Sequence, residues 1–209
     1  MWCSTRCGSR RHGHTKGQLV EVSRSDLVAG YVGQTALKTM SVIDKAIGGV
    51  LFIDEAYSLT ELDGNDFGKE AISTILKEME NKRDDFVVIA AGYEKEMKKF
   101  ISSNSGLKSR FKSFIKFEDY TAQELVNIFL KKCQKDGYIV EDDARKMLLR
   151  HLEKTIEKPD DDFGNGRGVR NLYEKTISKQ SQRVSHIDSP TNEDLMRIER
   201  ADIDRALSN

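Results

Sequence analysis

Four consecutive apolar residues, Val50-Leu51-Phe52-Ile53, stand between a glycine pair, Gly48-Gly49, and two acids, Asp54-Glu55. A run this short and this apolar suits a strand covered on both faces of a parallel sheet, where the side-chain alternation of a half-exposed strand is lost. A second run, Phe86-Val87-Val88-Ile89-Ala90-Ala91, closes at Gly92. Between them, Phe67, Ala71, Ile75 and Met79 recur every four residues, the spacing of one helix face, with Glu78 and Lys82 paired on the wet side. A further helix is predicted from Ala36, Met40, Ile43 and Ile47, and a charged one from Lys95 to Ser102. Leu19, Val20 and Val22 mark an earlier strand and Phe114-Ile115-Lys116-Phe117 a later one. Strands alternating with helices in this order predict an α/β fold, a doubly wound parallel sheet with helices on both faces.

Beyond Asp119 the strand signals stop. Thr121-Ala122-Gln123-Glu124 has the form of a capping box, followed by the apolar positions Leu125, Ile128 and Phe129. Ala144, Leu148, His151 and Leu152 predict a second helix, Val169, Leu172, Tyr173 and Ile177 a third, and Ala201 to Leu207 a short terminal one. The predicted organisation is therefore an unstructured or foreign leader over 1–16, an α/β core over 17–118 and a small helical domain over 119–209. The leader holds Arg6, Arg10, Arg11 and Lys16 and lacks the apolar content of a core strand.

Composition narrows the function classes. Lys+Arg and Asp+Glu both count 34. With balanced charge and no basic stripe interleaved with aromatics, neither a nucleic acid nor an anionic membrane surface is the expected partner. No apolar run reaches the roughly 18 residues of a membrane-spanning helix. Cys3, Cys7 and Cys133 make an odd set, which is not a disulfide framework and points to a reducing compartment.

The chemistry centres on Asp54 and Glu55. Acids at the C-terminal end of a buried parallel strand lie where open α/β sheets bind ligands. In nucleotide hydrolases such an acid holds Mg²⁺, and an adjacent Glu can polarise the attacking water. Taken alone, the same pair fits two acids that simply end a strand and begin a loop.

The stretch from Lys16-Gly17-Gln18-Leu19-Val20-Glu21-Val22 to Arg170-Asn171 resembles AAA+ ATPases of the group containing the CbbX-type (red-type) rubisco activases and stage V sporulation protein K. The resemblance covers about three quarters of the chain. Its markers are Ser25-Asp26-Leu27-Val28, Tyr31-Val32-Gly33-Gln34-Thr35, Gly49-Val50-Leu51-Phe52-Ile53-Asp54-Glu55-Ala56-Tyr57, Met79-Glu80-Asn81 and Ala91-Gly92-Tyr93. Gly106-Leu107-Lys108-Ser109-Arg110-Phe111 and Asn165-Gly166-Arg167-Gly168-Val169-Arg170-Asn171 complete them. The resemblance implies an AAA+ parallel sheet with a helical lid. It implies Asp54 as the Mg²⁺-side acid of Walker B, Glu55 as the catalytic base and Arg110 as the arginine finger pointing at a neighbouring subunit's γ-phosphate. It also implies Arg167 as the nucleotide-sensing arginine of the lid, with Arg170 one turn on able to cap or pair structurally. Tyr31, Val32 and Gly33 resemble a pore loop, whose aromatic ring grips a threaded polypeptide; a Tyr packed at a helix entry is the alternative. ATP and Mg²⁺ are the implied cofactors, a ring, six-membered in the family, the implied assembly, and a protein the implied substrate.

Two departures from the family pattern stand out. Many AAA+ proteins carry a polar side chain after the strand matching Phe86–Ala91, where this chain has Gly92. Nor does any strand lead into a Gly-x-x-x-x-Gly-Lys-Ser/Thr loop, whose backbone N–H groups and Lys hold phosphate. The nearest pattern, Gly8-Ser9-Arg10-Arg11-His12-Gly13-His14-Thr15, places His14 where the Lys belongs. The expectation is thus a core with its first strand missing, a split sheet, an exposed inner edge at the strand around Ile115, and weak or absent ATP binding. Cys3, Cys7, His12 and His14 raise a zinc alternative whose His spacing is too short for a finger pattern. The basic leader raises an organellar alternative to a cytoplasmic location. Two functions remain in view: an ATPase that remodels proteins in a ring, or a non-catalytic scaffold or regulatory subunit that joins complete paralogues.

Overall fold

The computed structural model describes residues 2–5 as backbone, and residues 17–31, 33–61, 67–157 and 163–208. Most of the 1–16 leader, with its His14 pattern and the candidate zinc residues Cys7, His12 and His14, and Val32 of the candidate pore loop lie outside the described residues. The chain divides into two units, Met1–Glu118 and Asp119–Asn209.

The first unit runs β1 (Trp2–Thr5), β2 (Leu19–Val22), α1 (Arg24–Leu27), α2 (Gln34–Ala46), β3 (Val50–Ile53), a 3₁₀ turn (Ala56–Thr60), α3 (Phe67–Asn81), β4 (Val87–Gly92), α4 (Glu94–Ser102), α5 (Ser105–Arg110) and β5 (Ser113–Lys116). The sheet order is β2-β3-β4-β1-β5. Strands β2, β3 and β4 are parallel, with Val22 opposite Ile53 and Ile53 opposite Ala90. Each crossover from β2 to β3, β4 and β5 moves the same way across the sheet. Right-handed connections therefore put α2, α3 and the α4–α5 pair on one face. Burial agrees: Leu51, Ile53, Val88 and Ala90 are buried with Ile43, Ile75, Met79, Met97 and Phe100, whereas Val50, Phe52, Val87 and Ile89 between them are only half-buried.

The leader corrects one expectation. Trp2–Thr5 lies between β4 and β5, antiparallel to both, so the sheet is continuous and β5 is paired on its inner side. Pairing of this kind is main-chain hydrogen bonding between neighbours that already exist, and it does not require the inserted strand to be apolar. A parallel first strand is still not found among the described residues. An antiparallel one takes its place.

Helix α2 also departs in detail. Its buried residues are Thr35, Thr39, Val42, Ile43 and Ala46, while Met40 is exposed. The two threonines are tolerated inside because Thr39 donates to the Leu27 carbonyl at 3.0 Å and Thr35 accepts from the Ala29 N–H at 3.1 Å. In α3, Glu78 does pair with Lys82, at 3.1 Å, but its side chain is buried rather than on the wet side.

The second unit holds α6 (Ala122–Lys135), β6 (Ile139–Val140), α7 (Asp142–Glu157), α8 (Gly166–Val184), α9 (Asn192–Met196), β7 (Arg197–Ile198) and α10 (Arg200–Leu207). Its core joins Leu125, Phe129, Leu148, Leu152, Val169, Leu172, Ile198 and Ile203. The Thr121/Glu124 capping box forms. The strand signals do not quite stop: β6 and β7 pair as two-residue parallel strands, too short to leave a sequence period. No helix among the described residues is long and apolar enough to cross a membrane.

Candidate functional site

Asp54 and Glu55 follow β3 at the C-terminal edge of the parallel strands. The Asp54 N–H donates to the Val22 carbonyl at 2.9 Å, which carries the pairing one residue past the strand and sets Asp54 beside Ser23. Asp54 Oδ1 then accepts the Glu55 N–H at 3.0 Å. Glu55 adopts φ 47° and ψ 44°, the left-handed region, which costs a residue with a Cβ about 1–2 kcal/mol. The turn is closed by the Ser58 N–H on the Glu55 carbonyl at 2.8 Å, and Arg24 Nη1 donates to the Ser58 carbonyl. Strain held in place by neighbouring bonds is typical of functional positions.

Ser23, Arg24, Ser25, Val28, Asp54, Glu55 and Ser58 line one cavity of about 430 Å³. Ser23, Arg24 and Ser58 were not singled out from sequence, and Ser25 only as part of a family marker. The available signal was their place: Ser23, Arg24 and Ser25 directly follow β2, and Ser58 lies in the turn after the acids. The lining offers a carboxylate pair and hydroxyl oxygens, the hard donors Mg²⁺ takes. Among the described residues no group of three His, Cys, Asp or Glu gathers to hold a metal by itself. Mg²⁺ here would rest on Asp54, water and the ligand's phosphates, its usual mode in nucleotide sites.

Arg110 lies elsewhere in the unit. It ends α5, three residues before Ser113, which is level with Thr5 and Ile89 rather than with Gly92. Its Nη2 lies 3.3 Å from Glu80, and its Nε is buried without a hydrogen-bond partner. It is absent from the Asp54 cavity lining. Tyr31 is 74% exposed, and Gly33, at φ 79°, turns the chain into α2.

In the second unit, Arg167 occupies the first turn of α8 and is exposed, as is Arg170. A cation at a helix N-terminus opposes the macrodipole, so helix stability does not account for Arg167. Gly168 is explained by packing: a Cβ there would lie 2.7 Å from the Phe163 ring.

Residues 9–119 match the ATPase family associated with various cellular activities (AAA), and residues 121–209 match the AAA lid domain. The chain belongs to the AAA ATPase family. Its relatives include a CfxQ homologue of Galdieria sulphuraria, 42% identical over 90% of this chain and 62% of that protein. Stage V sporulation protein K of Bacillus subtilis is 44% identical over 90% and 59%. The chloroplastic ribulose bisphosphate carboxylase/oxygenase activase of Cyanidioschyzon merolae is 42% identical over 90% and 64%. The chain thus spans about three fifths of the length of these relatives. Among solved structures, a Thermotoga maritima RuvB mutant superposes with a TM-score of 0.62 at 17% identity, over 92% of this chain and 54% of that one. The FIGL-1 AAA domain in complex with ADP superposes with a TM-score of 0.57, also at 17% identity, over 90% and 61%. Those two likenesses concern the AAA fold alone.

Proposed function

We propose that this chain is the Walker B and lid portion of an AAA+ ATPase that remodels proteins in a ring, and that by itself it turns over no ATP. In this reading Asp54 holds Mg²⁺ through oxygen, Glu55 polarises the attacking water, and Arg167 reports nucleotide to the lid. Arg110 serves a neighbouring subunit, and Tyr31 grips the polypeptide substrate. The strained Glu55 beside Asp54, at the end of a central parallel strand, supports the hydrolytic assignment. A six-membered ring is the assembly that lets Arg110 meet another subunit's phosphates.

The direction of β1 supports the second half of the proposal. Trp2 is level with Gly92 and Thr5 with Ile89, so β1 runs away from the edge that carries Asp54. Gly17, whose N–H meets the Gly48 carbonyl at 3.3 Å, enters β2 at that same far edge. The chain therefore leaves β1 and enters β2 at the end of the sheet opposite the acids. A phosphate-binding loop needs the reverse, a strand that delivers its loop beside them. This favours a second reading, a non-catalytic subunit that lends Arg110 to complete relatives in mixed rings.

Calorimetric titration with MgATP tests the proposal. No heat of binding at micromolar nucleotide is expected, and micromolar affinity would defeat the claim that the chain has no working phosphate cradle. Adding the chain to a complete relative and measuring the relative's ATPase rate tests the second reading: a changed rate is expected, and an unchanged one would defeat it.

A further inference from the structure

Arg24 reaches from the end of β2 to the turn that carries Glu55. Its Nη1 donates to the Ser58 carbonyl and, at 3.5 Å, to that of Glu61. Ser58 is bonded in turn to Glu55, its N–H donating to the Glu55 carbonyl at 2.8 Å. One residue therefore stands between the guanidinium and a backbone held at φ 47°. A residue with a Cβ stays in the left-handed region only where its surroundings keep it there. Arg24 is itself fixed. It opens α1 behind the capping box of Ser23 and Asp26, and its carbonyl accepts the Val28 N–H at 2.9 Å. Lys38 Nζ donates to the Ser25 and Val28 carbonyls at 2.6 and 2.9 Å, and Thr39 to that of Leu27, so this short helix is pinned to α2. Gly68 at the start of α3 keeps the space beside the turn open. A Cβ there would clash with the Leu59 carbonyl oxygen and lie 3.4 Å from Arg24 Nη1.

We propose that Arg24 is the positioning residue for the Glu55 turn: by holding the Ser58 carbonyl from the end of β2, it keeps residue 55 left-handed and so sets the direction of the Glu55 side chain. One pair of φ and ψ values fixes the Cα–Cβ bond and limits which rotamers can follow it. A base that must meet one water in one direction gains from that restriction. Hydrogen bonds from a charged donor are among the stronger ones, which suits Arg24 to holding a strained turn. The inference rests on the proposed role of Glu55 as the base for its meaning. The clamp itself is a property of the chain without nucleotide.

Nuclear magnetic resonance of the unmodified chain and two variants tests it. Positive φ brings a residue's amide proton close to its own Hα and makes the cross-relaxation peak between them strong. Arg24→Met keeps the stem and removes the donors, whereas Arg24→Lys keeps a donor within reach of one carbonyl. The residue 55 peak is expected to be strong in the unmodified chain and in Arg24→Lys, and weak in Arg24→Met. A strong peak in Arg24→Met would overturn the proposal. Its loss in Arg24→Lys would do the same, and that arm stands even if Arg24→Met does not fold. Urea unfolding supplies the second measurement. Glu55→Gly is expected to raise the midpoint of the unmodified chain, because glycine takes positive φ without steric cost, and not to raise that of Arg24→Met, whose turn has already relaxed. Equal rises in both backgrounds would overturn the proposal, since an arginine that merely packs is indifferent to strain at residue 55. Neither measurement uses nucleotide. Micromolar MgATP binding would defeat the proposed function and leave both results standing, while their failure would leave the MgATP titration untouched.

Discussion

Arg110 Nη2 sits 3.3 Å from a carboxylate oxygen of Glu80, a pair that ties the end of α5 to the last turn of α3. Both side chains keep solvent access, so the pair is worth about 0.2–1 kcal/mol at most. Arg110→Ala is predicted to change the urea unfolding free energy of the chain by no more than about 1 kcal/mol. If Arg110 serves a neighbour's nucleotide, the same substitution lowers ATPase in mixed rings with a complete relative. An unchanged rate in such mixtures would count against the finger assignment.

The second unit has a core of its own, and Leu148 is among its fully buried side chains. Leu148→Ala removes buried carbon and leaves a cavity among Leu125, Phe129 and Leu152. The predicted loss is about 2–5 kcal/mol, read as a lower urea midpoint for a spectroscopic probe in the second unit. A change below about 1 kcal/mol would mean that this core is not packed as described.

Gly168 is predicted to resist enlargement. In Gly168→Ala the added Cβ meets Phe163 at 2.7 Å, and unlike the end of a flexible chain an aromatic ring moves as a whole. Helix propensity favours Ala over Gly by about 1 kcal/mol. Contact should outweigh it, so a net loss of stability is expected, and a more stable variant would refute the packing account of this glycine.

Acid should weaken the start of α6. The Thr121 N–H and hydroxyl, both bonded to the Glu124 carboxylate at 2.9 Å, hold its pKa below the ordinary value of 4.5. A carboxyl whose folded pKa is depressed contributes fully above its unfolded value and loses that contribution as pH falls through the folded one. Stability should therefore decline from about pH 4.5 downward, and less steeply in Glu124→Gln. Identical acid profiles for the two proteins would contradict the capping box.

Cys133 is buried in α6, and burial pushes its thiol pKa up to about 12. Only the thiolate is nucleophilic. In native protein at pH 7.5, peptide mapping after iodoacetamide treatment is expected to find Cys133 unmodified, with labelling appearing in urea. Labelling of the folded protein would mean that this helix opens.

Much of the site was legible because chemistry and sequence order coincide there. Asp54 and Glu55 announce themselves as acids ending an apolar strand, and backbone pairing puts them beside Ser23. Arg24 was not legible as a partner of the Ser58 carbonyl, since 34 residues separate them and only parallel pairing of β2 with β3 brings their neighbourhood together. The α2 stripe failed for a related reason. Thr35 and Thr39 count as polar in any periodicity, yet nearby backbone groups satisfy their hydroxyls, while the apolar Met40 faces solvent.

The sequence by itself determined what depends on local order: the alternation of strands and helices, the capping box at Thr121, and the two acids after Ile53. Only the tertiary structure decided how Trp2–Thr5 is used. Its four residues carry no period, but β4 and β5 present backbone edges on either side of one slot. Main-chain hydrogen bonds do not read side chains, so a strand of almost any composition can enter that slot, and the register with β4 and β5 runs it antiparallel to both, away from Asp54.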